Sequence, residues 1–403
     1  MKVIEGGVCA PKGFKASGIH CGIRKNRDKK DLALIFSEKR ASAAAVYTQN
    51  LVQGAPIRVT KKNISDGYGK AMLCNSGNAN TCNKNGIEIA EEMCSLVAEA
   101  LQIQSNDIIV ASTGVIGEPL SIEPIKNNIK DLCKGLGNNS SEAAEAIMTT
   151  DTKKKEIAIA FSLGDKECHM GGIAKGSGMI HPNMATMLVF ITSDVAIAPE
   201  LLQKAVSEDV EDSFNMITVD GDTSTNDMLS VLSNGEAENR LIDSINDDYY
   251  TFKKALNYVT TYLSKGIAAD GEGATKLLQC IVKGGSRKSM AKAVAKSVVG
   301  SSLVKAAMFG EDANWGRILC AIGYSREKVD VDRIDVSFSS TAGSIVVCTR
   351  GRGVPFSEEK AKEILAEKEI DININLNLGT EEAIAWGCDL TYDYVKINGD
   401  YRT

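Results

Sequence analysis

A single hydroxyl at the start of an apolar segment is the strongest candidate for chemistry in this sequence. Thr186 follows the polar turn HPN and the residues Met184 and Ala185, and it precedes the apolar run MLVF. A threonine hydroxyl is a weak nucleophile unless a base lies beside it. Cleavage of the peptide bond between Ala185 and Thr186 would free the α-amino group of Thr186, whose pKa of about 8 suits that role. The residue pattern alone leaves open the alternative of a β-branched residue that merely begins a strand.

Other catalytic and binding patterns fit the sequence less well. The three histidines (His20, His169 and His181) lack metal-ligand spacing, and the 11 cysteines form no C-x-x-C pair, so no metal site is predicted. GGIAKGSG and GEGATK depart from the P-loop pattern. The first of these segments fits either a nest of amides for an anion or an ordinary tight loop. No cofactor is expected.

The bulk composition bears on the classes of partner. A formal net charge of -6 and an aromatic content of 5% argue against a nucleic-acid partner. The sequence contains no run of 18 apolar residues and no signal-peptide pattern, so we expect a cytoplasmic protein without a membrane span. A chain of 403 residues is too long for one ordinary core, which predicts two or more packed units.

The pattern of apolar residues predicts mixed α/β layers. Helical spacing is expected over 87–103 and 248–268, for example. Strands are expected across 30–60, a glycine-rich loop over 171–180, and the tip of a strand with a polar turn over 216–227. The Thr186 hydroxyl would lie where this glycine-rich loop enters a strand.

The segment GGIAKGSGMIHPNMATML strongly resembles the ornithine acetyltransferase (glutamate N-acetyltransferase) family of arginine biosynthesis. Further segments are similar to motifs of the same family, in the same order: STGVIGEPL, TTDT, GEGATK and NGDYRT. The resemblance covers essentially the full length of the chain. It therefore favours the interpretation of Thr186 as a nucleophile.

The resemblance implies an activity and a maturation step. The chain would cut itself between Ala185 and Thr186 into an α chain, 1–185, and a β chain, 186–403. Thr186 would take the acetyl group of N2-acetylornithine as an ester and pass it to L-glutamate, in ping-pong fashion. Use of acetyl-CoA as a further donor stays open, although the lack of an Arg-rich phosphate cluster favours acetyl recycling alone.

The resemblance also implies an architecture. The expected fold is a layered α/β sandwich that resembles N-terminal nucleophile hydrolases with distinct connectivity, together with a second, smaller α/β unit. The expected assembly is a heterotetramer of two α and two β chains.

The same resemblance assigns roles to individual residues. The oxyanion hole falls on Thr113 and Gly114, a hydroxyl beside a glycine where a substrate can approach the backbone. Lys175 suits a carboxylate, and Glu272, between two glycines, suits the charged amine of ornithine. The full set of expected substrate-binding residues is Thr152, Lys175, Thr186, Glu272, Asn398 and Thr403.

Two other functions stay open at this level. An acyl-threonine can be resolved by water, which would make the protein an N-terminal-threonine amidohydrolase or aminopeptidase. A non-enzymatic protein that holds a small anion in the glycine-rich loop is the second alternative.

Overall fold

The computed structural model describes residues 1–181 and 187–400, and its contacts divide the chain into two compact units. Unit 1 comprises the described residues of Met1–Gly176, Pro182–Asn215 and Thr223–Leu263. Unit 2 comprises the described residues of Ser177–His181, Met216–Asp222 and Ser264–Thr403.

The strands described in unit 1 form one nine-stranded sheet. They are β1 (Lys2–Ile4), β2 (Phe14–Ile19), β3 (Leu32–Tyr47), β4 (Tyr68–Asn78), β5 (Ile108–Val115), β6 (Lys155–Leu163), β7 (Lys166–Lys175), β8 (Leu188–Ser193) and β9 (Met228–Ser233). Their order is β1-β6-β7-β8-β9-β3-β4-β5, with β2 paired to β3. Among the strand pairs described in this sheet, only β4–β5 and β8–β9 are parallel.

Helices cover the sheet of unit 1 and give the unit its layers. They are α1 (Ala55–Asn63), α2 (Gly86–Leu101), α3 (Glu123–Lys134), α4 (Ser140–Ala146), α5 (Pro199–Asp209) and the part of α6 (Asp247–Ala269) that precedes Ser264. Side chains alternate along β4, as the pleat requires. Leu73 packs in a cluster with α2 and α3, while its neighbour Met72 packs in a second cluster with residues of β7, β8 and β9. The predicted mixed α/β layers are confirmed.

Unit 2 is built on a separate six-stranded sheet. Its strands are β10 (Leu277–Gly285), β11 (Asp335–Ser340), β12 (Gly343–Thr349), β13 (Arg352–Gly353), β14 (Glu369–Asn375) and β15 (Glu381–Cys388), in the order β13-β12-β11-β14-β10-β15. Its further helices are α7 (Lys288–Val299), α8 (Ser302–Phe309), α9 (Trp315–Gly323), α10 (Glu358–Leu365) and α11 (Tyr392–Gly399). α7 packs against β10 and β15.

Three local expectations are wrong. Within 30–60, the strand ends at Tyr47 and α1 begins at Ala55, where Pro56 favours the first turn of a helix. Residues 171–175 belong to β7 rather than to a loop. The segment 217–222 belongs to no named strand: Ile217 forms an isolated bridge with Trp386, and Asp220 accepts a hydrogen bond from the backbone N–H of Asp222 in the turn.

The glycines of β7 explain why this strand looks like a loop in the sequence. A Cβ atom at Gly171 would lie 1.8 Å from the carbonyl oxygen of Gly7, so another part of the backbone occupies the space of a side chain. Gly172 faces Val259 and Leu263 of α6, with a Cβ position 2.9 Å from Leu263 Cδ1. Close packing, not a turn, therefore requires glycine here.

No helix in the described parts of the chain combines the length and apolar character needed to cross a bilayer.

Candidate active site

Thr113 and Gly114, the predicted oxyanion residues, lie near the half-exposed end of β5. Gly114 lies opposite Gly77 in the parallel register of β5 with β4. A Cβ atom at Gly114 would lie 2.3 Å from the carbonyl carbon of Gly77, and the φ of Gly114 is +133°. Only glycine fits, because both the contact and the backbone conformation exclude a side chain. The result is a bare backbone turn beside a hydroxyl, the kind of surface that an oxyanion site requires.

Lys175 ends β7, and its ammonium group contacts the predicted oxyanion residue. Nζ of Lys175 donates a hydrogen bond to Oγ1 of Thr113 at 3.4 Å. Burial lowers the pKa of the Lys175 ammonium, while the nearby carboxylate of Asp151 acts in the opposite direction. In the antiparallel register of β7 with β8, Lys175 lies opposite Leu188, which follows Thr186 by two positions in the sequence. The strand after Thr186 is thus anchored beside the Lys175 end of β7.

Asp151 is a buried carboxylate that balances the lysines around it. Its Oδ1 accepts hydrogen bonds from Nζ of Lys155 and from the backbone N–H of Gly176, both at 2.7 Å. Burial by itself raises the pKa of Asp151. The positive charges of Lys175 and Lys155 and these hydrogen bonds outweigh that effect and lower the pKa to about 2. Asp151 is therefore ionised at neutral pH and holds the backbone that follows Lys175.

Asn226 connects the loop before β9 to the strand that carries the oxyanion residues. Its Nδ2 donates to the carbonyl oxygens of Ala79, at 2.5 Å, and Ser112, at 3.0 Å. Its Oδ1 accepts a hydrogen bond from the hydroxyl of Thr81 at 2.5 Å. Because Ser112 immediately precedes Thr113, the Asn226 amide fixes the backbone that positions the oxyanion residues.

In unit 2, Glu272 and Asn398 are in direct contact. Nδ2 of Asn398 donates a hydrogen bond to Oε2 of Glu272 at 2.7 Å. The backbone N–H of Glu272 donates to the carbonyl oxygen of Ser177 at 3.1 Å. A Cβ atom at Gly178 would lie 2.3 Å from the carboxyl carbon of Glu272. The Glu272 carboxylate, which is buried, therefore lies over the glycine-rich segment and is oriented by a residue of α11.

Asp220 holds the end of the same glycine-rich segment. Its carboxylate accepts hydrogen bonds from the backbone N–H groups of Met179, at 2.6 Å, and Ile180, at 2.9 Å. Burial, and then the positive charge of Lys296, lower the pKa of His181 to about 4 against the opposing effect of Asp220. The imidazole of His181 is therefore neutral at pH 7.

Three residues of the predicted site lie outside the described residues: Ala185, Thr186 and Thr403. Thr152 is exposed and directly follows Asp151 in the sequence. Four of the remaining predicted residues form the two contacts described above, Lys175 with Thr113 in unit 1 and Asn398 with Glu272 in unit 2, and Gly114 follows Thr113 in β5.

Sequence reasoning missed three residues that organise these surroundings: Asp151, Asp220 and Asn226. Asp151 lies within TTDT, and the other two lie within VDGDTSTND. The available signal was the residue type, because Asp and Asn in polar turns commonly bond nearby backbone groups. Apart from Lys155, which lies four residues after Asp151, the partners described above at this site are distant in sequence and could not be inferred from it. Within the described ranges, no group of three or more His, Cys, Asp or Glu side chains is arranged to hold a metal ion.

Comparison with known proteins gives several matches. The model of the ArgJ family matches residues 15–403. Arginine biosynthesis bifunctional protein ArgJ 1 of Clostridium acetobutylicum is 51% identical over 392 residues, which cover 97% of this chain and 96% of that protein. The crystal structure of the Bacillus halodurans arginine biosynthesis bifunctional protein argJ is 48% identical, with a TM-score of 0.51, and covers 53% of this chain and 99% of that chain. A structure of Mycobacterium tuberculosis ornithine acetyltransferase complexed with ornithine is 32% identical, with a TM-score of 0.42, and covers 46% of this chain and 99% of that chain.

The fold and these matches define a class, the mixed α/β acetyltransferases of arginine biosynthesis. Because the family model spans nearly the whole chain, and a relative at 51% identity is covered over 96% of its length, the chain belongs to the ArgJ family. The family, the enzyme class and the pathway predicted from the sequence motifs are confirmed.

Proposed function

We propose that this enzyme transfers the acetyl group of N2-acetylornithine to L-glutamate through an acetyl ester on Thr186. Oγ of Thr186 attacks the acetyl carbonyl carbon, and its proton passes to the free α-amino group of the same residue. The C–N bond breaks, and ornithine leaves as an amine that takes up the proton. The amine of glutamate then attacks the ester, which releases N-acetylglutamate and restores the hydroxyl.

The nucleophile is generated by self-cleavage between Ala185 and Thr186. The α chain, 1–185, and the β chain, 186–403, remain in one folded protein. The coverage of the Bacillus halodurans relative supports this step, because 99% of that solved chain matches only 53% of this one. Residues 186–403 likewise make up just over half of the chain.

The observation that carries the proposal is the contact between Lys175 and Thr113 beside the start of β8. Thr113 and Gly114 form the oxyanion hole, where the hydroxyl and the glycine backbone stabilise the negative charge that develops on the acetyl oxygen. The Lys175 ammonium supports them in surroundings that exclude water, where a charge acts more strongly than in bulk solvent. It also suits the carboxylate of either amino-acid substrate.

Substrate recognition uses two charged groups of opposite sign. Lys175 binds a carboxylate, and Glu272 binds the side-chain ammonium of ornithine, with Asn398 orienting its carboxylate. The proposed set of substrate-binding residues is Thr152, Lys175, Thr186, Glu272, Asn398 and Thr403.

Two further properties belong to the same proposal. The mature enzyme is a heterotetramer of two α and two β chains in the cytoplasm, as the resemblance implies. The relatives are named bifunctional, which supports a second activity in which acetyl-CoA supplies the acetyl group for N-acetylglutamate.

The first test is the intact mass of the purified protein under denaturing conditions, followed by an acetyl-transfer assay on the same sample. We expect two fragments, the second beginning at Thr186, and transfer from N2-acetylornithine to glutamate.

Thr186→Ala should remain a single chain without transfer activity, whereas Thr186→Ser should retain part of both reactions because serine keeps the hydroxyl. A cleaved and active Thr186→Ala protein would disprove the mechanism. Rapid acetate release without glutamate would instead identify a hydrolase.

A further inference from the structure

A cavity of about 330 Å³ in unit 1 lies outside the site described above. Its walls come from the start of α1, the segment before α2 and the first turn of α2. The residues that matter for its chemistry are Leu51, Val52, Arg58, Asn80 and Lys84. The volume lies at the lower end of the range of small-molecule sites, so the cavity suits part of an extended ligand.

The charged groups of this cavity are both positive. Arg58 extends from α1, and Lys84 lies two residues before α2. Neither side chain makes a hydrogen bond or ion pair with any residue that the structure describes, and none of the described residues that line the cavity is acidic. A guanidinium and an ammonium group that share one cavity, without a neutralising carboxylate in its lining, favour a ligand with phosphate groups.

The first backbone N–H group of each of the two helices already has an acceptor. The backbone N–H of Ala55, at the start of α1, already donates to the carbonyl oxygen of Asn80 at 3.1 Å. The N–H of Gly86, at the start of α2, donates to the carbonyl oxygen of Asn83 at 3.3 Å. The two side-chain cations therefore provide the attraction for an anion.

The same cavity has an apolar edge. Leu51 is 98% exposed and Val52 is 48% exposed. These two aliphatic side chains offer a contact for the apolar part of a ligand that also carries phosphate. A free phosphate ion would leave this edge uncovered.

The wall of the cavity is connected directly to the strand that carries the oxyanion residues. Ala79, the neighbour of cavity residue Asn80, donates its N–H to the carbonyl oxygen of Val115 at 2.9 Å. Asn226 donates to the carbonyl oxygens of both Ala79 and Ser112. The segment that contains Asn80 therefore runs beside the end of β5, about one strand spacing of 4.8 Å away.

We propose that this cavity, defined by Arg58 and Lys84, binds the phosphate groups of acetyl-CoA, whose aliphatic arm passes Leu51 and Val52 and carries the thioester toward Thr113 and Gly114. The inference rests on the proposed function, since it assumes the acetyl-Thr186 intermediate. Oγ of Thr186 forms the ester bond, the thioester C–S bond breaks, and the hydroxyl proton passes through the α-amino group to the departing thiolate. Glutamate then takes the acetyl group as it does in recycling.

The test compares two donors in one protein. In the Arg58→Gln, Lys84→Gln double variant, we expect the KM for acetyl-CoA to rise about tenfold or more, because two charge-assisted contacts are lost. We expect transfer from N2-acetylornithine to glutamate to stay within about twofold of the unchanged enzyme, since that donor carries no phosphate. Lys130→Gln is the matched control, because Lys130 is an exposed lysine of α3 outside this cavity. It should alter neither activity.

A binding measurement makes the result independent of turnover. Titration of the unchanged enzyme with coenzyme A should show binding that the double variant weakens by about tenfold or more. Acetyl phosphate, which lacks the aliphatic arm, should be a poor donor in both proteins.

Equal coenzyme A affinity and equal acetyl-CoA kinetics in the two proteins would overturn the inference. So would an enzyme that recycles acetyl groups but neither binds coenzyme A nor uses acetyl-CoA. If the unchanged enzyme did not transfer acetyl groups from N2-acetylornithine to glutamate, that result would instead contradict the proposed function.

Discussion

Gly114 shows how one residue combines a structural and a chemical requirement. Its φ of +133° and its approach to Gly77 leave no room for a side chain, and the same bare backbone is what the proposed oxyanion hole needs. A glycine at position 114, taken alone, is typical of a turn. The approach of Gly77 depends on the register of β4 with β5, which the sequence does not reveal.

Substitution of Gly114 tests whether its bare backbone is needed for the proposed oxyanion hole. Gly114→Ala should lower kcat for acetyl transfer by about 100-fold or more, since the turn must move and one oxyanion donor is displaced. Gly117→Ala is the control, because Gly117 also has a positive φ but a Cβ atom there meets nothing within 4 Å. Steady-state kinetics of both variants check the prediction. Equal losses of kcat would mean that backbone strain, not the oxyanion geometry, causes the effect.

Glu272 is the residue expected to distinguish the donor from the acceptor. Glu272→Gln keeps the size of the side chain but removes the charge that attracts the ornithine ammonium. The KM for N2-acetylornithine should rise about tenfold or more, with a smaller change in the KM for glutamate. Initial rates at varied concentrations of each substrate measure the two constants. A rise of both by the same factor would contradict a role in donor recognition.

At the scale of elements, β7 is the strand that organises unit 1 around the proposed site. It carries Lys175 at one end, pairs with β8 along one side, and packs its glycines against Gly7 and α6. The sequence predicted a loop here because Gly171, Gly172 and Ala174, which shortly precede Lys175, are small residues. Small residues indicate both loops and close packing, and only tertiary contacts distinguish the two.

The two neighbouring glycines of β7 give a matched pair of variants. Gly171→Ala should destabilise the protein by about 3 kcal/mol or more, because the new methyl group meets a backbone carbonyl that cannot easily move. Gly172→Ala should cost about 1 kcal/mol, since it meets only the ends of the Val259 and Leu263 side chains. Urea unfolding of both variants provides the measurement. A larger loss of unfolding free energy for Gly172→Ala than for Gly171→Ala would contradict the packing described for β7.

Asp151 links β6 to the end of β7 through its ion pair with Lys155 and its hydrogen bond from the backbone N–H of Gly176, and its ionisation predicts a pH dependence of stability. Its folded pKa of about 2 lies below the unfolded value of about 3.9, so its contribution to stability is present above pH 4 and is lost as the pH falls toward 2. About 1 kcal/mol of this contribution should disappear between pH 5 and 3. Asp151→Asn should lack this loss and should be less stable at pH 7, because two buried lysines lose their counter-charge.

Unfolding by denaturant at a series of pH values checks this expectation. Asp165→Asn is the control, because Asp165 is exposed and lies in the turn between β6 and β7. Parallel pH profiles for Asp151→Asn and the unchanged protein would contradict the role given to the carboxylate.

At the scale of the whole molecule, the proposed maturation predicts a difference between native and denatured masses. The uncut chain has a mass of 43.0 kDa. A heterotetramer of two α and two β chains should have a native mass of about 86 kDa, although denaturation should yield two fragments of about half a chain each. Light scattering of the native protein and mass spectrometry of the denatured protein measure the two quantities. A native mass of about 43 kDa would disprove the tetramer but not the cleavage.

The sequence by itself determined the class of the protein, because residue type and order are local properties. The Ala-Thr pair before an apolar run and several short motifs in order indicated the family and the proposed nucleophile. The spacing of apolar residues indicated helices α2 and α6. The tertiary structure decided which distant residues meet, such as Lys175 with Thr113, Asp151 with Gly176, and Arg58 with Lys84 in one cavity. Strand register and long-range packing set these contacts, and apolar periodicity carries no information about which strands pair.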